Sequence, residues 1–171
     1  MSLAAPSALP ERPLFRLRLA AAGAALWVGL VVLSCAMGVA GEFGWDAAFA
    51  LQSLVVYGFG AACMLLGLRA HAPHQRFGAA NVLTLLRLAM IALLAGTIGR
   101  ALPADPAPLA WTVVVFATVT AVLDAADGPL ARGQRLTSEF GARFDMECDA
   151  LLVAVLCLLI LQFDKGAAWV L

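Results

Sequence analysis

Charge is scarce in this chain. Only 13% of its 171 residues are charged, and eleven acidic side chains balance eleven basic ones. Zero net charge leaves no basic face for nucleic acid. Soluble domains carry about a quarter charged residues, so the deficit here is large. Zinc-type patterns are missing too. Cys35, Cys63, Cys148 and Cys157 lack metal-ligand spacing and histidine partners, and are expected to act as small buried hydrophobes. The only two histidines, His71 and His74, flank Pro73 in a basic connector and read as solvated loop residues. Repeats and low-complexity tails are absent as well.

What is present is apolar sequence, 63% of the chain at a mean hydropathy of +0.94. It falls in uncharged runs near the length of about 20 residues that a bilayer core demands of a helix. The first runs from Leu19 to Gly41 behind Arg12, Arg16 and Arg18, and the second from Ala47 to Leu68. A signal peptide is the competing reading of the first, given the small residues Gly38-Val39-Ala40, but the run exceeds the about 7–15 residues of a signal core. A third run, Phe77 to Gly99, holds one internal charge, Arg87, and ends before Pro103, Pro106 and Pro108. The fourth, Leu109 to Leu123, stops at Asp124, and the fifth, Ala150 to Phe163, begins after Asp149. Both are short for a crossing, so their helices are expected to continue into the polar segment between them.

The expected fold is all-α: a polytopic helical membrane protein of about five transmembrane helices in an antiparallel bundle. Its parts are a cytoplasmic segment 1–18, two accessory helices within 19–76, and a core over 77–171. Orientation follows from the basic loops. Arg12, Arg16, Arg18, Arg69, Arg76, Arg132, Arg135 and Arg143 share one side if the spans alternate, against Arg100 and Lys165 on the other. Glu42, Asp46, Asp105 and Asp164 lie on that second side, with Trp45 and Trp111 as interfacial anchors. The N-terminus and the segment from Asp124 to Asp149 are therefore expected in the cytoplasm.

That segment carries the chemistry. Asp124 and Asp127 are three apart, and Asp145 and Asp149 four apart, spacings that place each pair on one helix face. Two adjoining antiparallel helices would bring four carboxylates together at the membrane boundary. Such carboxylates repel one another and resist ionising together, and a mid-bilayer acid costs about 2.5–3.5 kcal/mol on insertion scales. Divalent cations remove both problems, and hard oxygen donors suit Mg²⁺ or Mn²⁺. Two ions would balance the four acids. The bland alternative is that these acids cap helix ends and pair with Arg132, Arg135 and Arg143. Glu139 and Glu147 fall outside the pattern and read as solvated charges. Gly128 and Gly141 suggest close approach of a backbone or ligand, and Pro129 a local kink.

Asp124, Asp127, Gly128, Ala131, Arg132, Gly141, Asp145 and Asp149 fit the signature DxxDGxxAR, eight residues, GxxxDxxxD. The chain thereby resembles the CDP-alcohol phosphatidyltransferases. Upstream, Asn81, Leu83, Thr84 and Arg87 resemble the NxLTxxR pattern of that family's first core helix, with Ala80 where proline is usual. Outside the resemblance, Arg87 could snorkel and Thr84 could bond back along its own helix.

The resemblance implies that Asp124, Asp127 and Asp145 ligate Mg²⁺ or Mn²⁺, with Asp149 as ligand or as catalytic base. It implies that Asn81, Thr84, Arg87, Gly128, Ala131, Arg132 and Gly141 line the nucleotide pocket, with Arg132 on the phosphates. The reaction implied is transfer from CDP-diacylglycerol to an alcohol acceptor with release of CMP, in phospholipid biosynthesis. A bacterial inner-membrane location and a homodimer are expected on the same basis. The resemblance covers about Phe77 to Phe163, the first three of six core helices, so the core is expected to be C-terminally incomplete. An inactive truncated membrane subunit and an ion- or proton-coupled transporter are the other classes the sequence leaves open.

Overall fold

The computed structural model describes residues 11–68, 77–134 and 138–163, the side chains of 11–14 and 126–134 excepted. Five helices follow one another: α1 Glu11–Phe43, α2 Ala47–Gly67, α3 Gly78–Gly96, α4 Ala107–Gln134 and α5 Glu139–Gln162. The described residues contain no strand. Four of the helices are long and apolar enough to cross a membrane, over Phe15–Phe43, Ala47–Gly67, Gly78–Gly96 and Ala107–Ala125. The all-helical membrane architecture expected from the apolar runs is thus present. As expected, α4 and α5 extend through the polar segment. α4 runs without a break across Pro129, and α5 begins well before its apolar run, at Glu139.

The helix at the centre is α3. It packs against α1, α2, α4 and α5, and 61% of its apolar window is buried, against 33% or less in the other three spans. A helix that is apolar all round suits that place: Leu85, Leu88, Ile91 and Ala92 are all enclosed. The outer helices turn large apolar side chains outward, among them Trp27, Phe59, Leu66 and Trp111. An outward apolar surface of this kind fits lipid as its solvent. Two cysteines share it. Cys35 and Cys157 are exposed and Cys63 half-buried, so of the four expected to be buried hydrophobes only Cys148 is enclosed.

Small residues let α2 approach α3, as membrane helices commonly allow. A Cβ on Gly60 would come 2.7 Å from Leu88, and one on Gly96 would strike the Ser53 hydroxyl and lie 2.9 Å from the Phe49 ring. Gly96→Ala is therefore expected to cost about 1–3 kcal/mol through overpacking, read as a lowered thermal midpoint in detergent. Gly38→Ala, with nothing within 4 Å of the added carbon, serves as the unaffected control.

Between α1 and α2 the chain turns at Gly44, whose φ of 64° lies in the left-handed region. The Trp45 amide donates to the Ala40 carbonyl at 2.8 Å, closing a glycine C-cap on α1. At the same end of the bundle, side chains satisfy the carbonyls that the last turn of α3 leaves without intrahelical partners. Gln52 Nε2 donates to Ala95 O at 2.9 Å and to Ile98 O at 3.3 Å. Gln162 Nε2 donates to Thr97 O at 3.0 Å and to Arg100 O at 3.2 Å. Arg100 also pairs with Asp46 at 2.8 Å, so the two charges assigned to one side from sequence do share one end. These contacts tie α2, α3 and α5 together far from the acidic segment.

Candidate active site

The opposite end of the bundle assembles the acids. α5 starts cleanly because Ser138 caps it, its Oγ accepting from the Gly141 amide at 3.1 Å. From that start, Asp145 and Asp149 fall one turn apart on a single face. α4 brings Asp124 to the same place. One carboxylate oxygen from each of Asp124, Asp145 and Asp149 lies within 4.8 Å of the others.

What binds them together is Arg87. This side chain leaves the middle of α3 and is fully buried. Its Nη2 donates to Asp124 Oδ1 at 2.9 Å and also to Asp149, while Nη1 donates to Asp145. A guanidinium is the side chain best suited to such bridging, since its planar fork of donors serves several carboxylate oxygens at once. The acids themselves stay partly open, at 40%, 30% and 48% exposure for Asp124, Asp145 and Asp149. The cluster is closed by the arginine on its inner side and accessible from outside. Burial raises the Asp149 carboxyl above its ordinary range, and the neighbouring Arg87 pulls in the other direction.

The expected meeting of acids from α4 and α5 therefore occurs for these three, though by another route. Among the described residues, each of the two helices packs chiefly on α3, and α3 supplies the cation between them. α4 and α5, although adjacent in the chain, are not each other's main neighbours in space. Of the three arginines in the helix-end alternative, Arg143 stays exposed, the side chains of Arg132 and Arg135 lie outside the described residues, and Arg87 pairs with the three described acids. Arg87 does not snorkel.

Two other residues from the upstream pattern sit beside the site but turn inward. Thr84 Oγ1 donates to Ala80 O at 3.2 Å, the back-bond open to it from sequence. Asn81 Nδ2 donates to Phe77 O, and both side chains are buried. Gly141 faces Asn81: a Cβ there would meet Asn81 Oδ1 and Ser138 Oγ at 3.5 Å, ordinary contact, so its described neighbours do not demand glycine. Glu139 and Glu147 are not enclosed, as expected of solvated charges. The side chains of Asp127, Gly128, Ala131 and Arg132 lie outside the described residues, as do Arg69, His71, His74, Arg76, Arg135, Asp164 and Lys165.

The donor set fits a divalent cation. Mg²⁺ takes oxygen ligands at about 2.0–2.1 Å in near-octahedral geometry and is usually held by one or two carboxylates with substrate phosphates. Three converging carboxylates with an open outer side supply such ligands, and rotations of short side chains close the remaining distance.

The family model for CDP-alcohol phosphatidyltransferase matches residues 77–171, more than half of the chain. The chain belongs to this family. α3, α4 and α5, which carry Arg87 and the three clustered acids, all lie in the matched region. No curated protein and no solved structure matches the chain. Family membership assigns phosphotransfer of the CDP-alcohol type, a chemistry generally dependent on divalent metal, to an integral membrane protein.

Proposed function

We propose that the chain transfers the phosphatidyl group of CDP-diacylglycerol to the hydroxyl of an alcohol acceptor, releasing CMP at the cytoplasmic face of a bacterial inner membrane. The observation that carries this reading is the convergence of Asp124, Asp145 and Asp149 from α4 and α5, within the region that the family model matches.

In this reading Asp124, Asp127 and Asp145 hold Mg²⁺ or Mn²⁺, two ions in all, with Asp149 as a further ligand or as the base. When bound, the cations neutralise the diphosphate and stabilise charge building on the leaving CMP. Asp149 accepts the proton of the acceptor hydroxyl. The hydroxyl oxygen forms a bond to the lipid-linked phosphorus as the bond from that phosphorus to the CMP oxygen breaks. Arg132 meets the departing phosphate. Gly128, Ala131 and Gly141 border the nucleotide, Asn81 and Thr84 stay buried beside the site, and Arg87 is held ready at its floor. Positioning and electrostatics carry such a phosphoryl transfer, with no covalent enzyme intermediate required. A site at the membrane boundary suits one lipid-linked and one water-soluble substrate, and a homodimer belongs to the same proposal.

The test is CMP release by the purified protein in liposomes containing CDP-diacylglycerol, with glycerol phosphate, serine, inositol and inositol phosphate offered in turn. Release with one acceptor, dependent on Mg²⁺ or Mn²⁺ and abolished by EDTA, is expected. Silence with every acceptor at saturating metal overturns the proposal.

A further inference from the structure

The guanidinium of Arg87 lies where a cation shared by Asp124, Asp145 and Asp149 would lie. It contacts all three carboxylates, and their oxygens are within 4.8 Å of one another. A divalent ion on the same oxygens would sit a few ångströms from a buried positive charge, where like charges repel strongly at the low effective dielectric of a protein. The two cations cannot both hold the triad. Arg87 cannot retreat into water either, because its side chain is enclosed within the bundle while the acids open outward. A guanidinium displaced from these three carboxylates is best matched by a further anion brought into the site.

We propose that Arg87 is a displaceable counter-ion that couples divalent-cation binding to diphosphate binding. Without ligands it neutralises the triad and keeps metal affinity low. When a nucleoside diphosphate arrives, its phosphates accept the Arg87 fork and free the carboxylates for metal. Each ligand thus tightens the other, and the coupling is equal in both directions. This inference rests on the proposed metal and nucleotide site, but it concerns a positioning residue whose role is read in binding rather than turnover.

The experiment measures Mn²⁺ affinity of the detergent-solubilised full chain by electron paramagnetic resonance, with and without CDP. For the wild type, CDP is expected to tighten Mn²⁺ binding at least about tenfold, a typical coupling factor. For Arg87→Gln, Mn²⁺ alone is expected to bind at least about tenfold tighter than to the wild type, and CDP to add less than about threefold. Arg87→Lys, whose ammonium lacks the fork, should fall between the two in both quantities, and it decides the matter if Arg87→Gln does not fold. Wild-type coupling that persists in the variants, or Mn²⁺ affinity unchanged or weakened in them, overturns the inference. Failure of the wild type to bind Mn²⁺ and CDP at all would instead contradict the proposed function.

Discussion

Asp149→Asn should lower the rate of CMP release by about 1000-fold, within the range of about 10²–10⁴ that a positioned general base supplies. The substitution keeps the shape of the side chain and its place one turn beyond Asp145, so the helix and its packing remain. What it removes is the carboxylate proposed to accept the acceptor's proton. The loss should appear mainly in kcat, with a smaller change in the affinity for CDP-diacylglycerol. A variant that retains more than about a tenth of the wild-type rate would remove Asp149 from the base role. Asp145 or a bound hydroxide would then have to take it.

The second large effect falls on stability. Arg87→Gln leaves Asp124, Asp145 and Asp149 facing one another without the guanidinium that bridges them. Removing one partner from a fully buried ion pair costs about 3–5 kcal/mol. Because the acids left behind are 30–48% exposed, water screens part of their repulsion and the cost here falls below that range. In EDTA the variant should therefore melt well below the wild type. Millimolar Mg²⁺ should raise its midpoint by more than it raises that of the wild type, since a ligand that binds only the folded state stabilises it. Thermal unfolding followed by circular dichroism in detergent checks both statements. Equal midpoints in EDTA would mean that Arg87 does not stabilise the cluster.

Much of this arrangement is legible in the sequence, and the reasons differ from residue to residue. The spans can be read because uncharged apolar runs of bilayer length are the mark of a membrane-crossing helix. The acids can be placed on helix faces because spacings of three and four are helical neighbours wherever the helix lies. The upstream pattern places Arg87 among the residues lining the nucleotide pocket. Its direct bridging of three carboxylates is hidden, because that depends on α3 standing between α4 and α5. Chain adjacency suggests instead that α4 and α5 meet each other. Thr84 and Asn81 read as pocket residues, yet both donate to carbonyls of their own helix segment. A short polar side chain on a helix always has that local option, and sequence cannot show which is taken. Nothing in the sequence separates Gly60 and Gly96 from the rest of the fifteen glycines, since only the packed bundle shows which of them touch α2 or α3. Gln52 and Gln162 carry no sequence signal for a similar reason: the carbonyls they satisfy lie elsewhere in the chain, at the end of α3.

The proposal that carboxylates from two helices hold a divalent ion against a nucleoside diphosphate can be met head-on. Electron–nuclear double resonance of Mn²⁺ bound to the protein with CDP reports phosphorus in the first coordination sphere of the metal. A resolved ³¹P coupling in the wild type, lost in Asp145→Asn, is the expected result. Mn²⁺ that binds without any ³¹P coupling, or a coupling indifferent to Asp145, would contradict it.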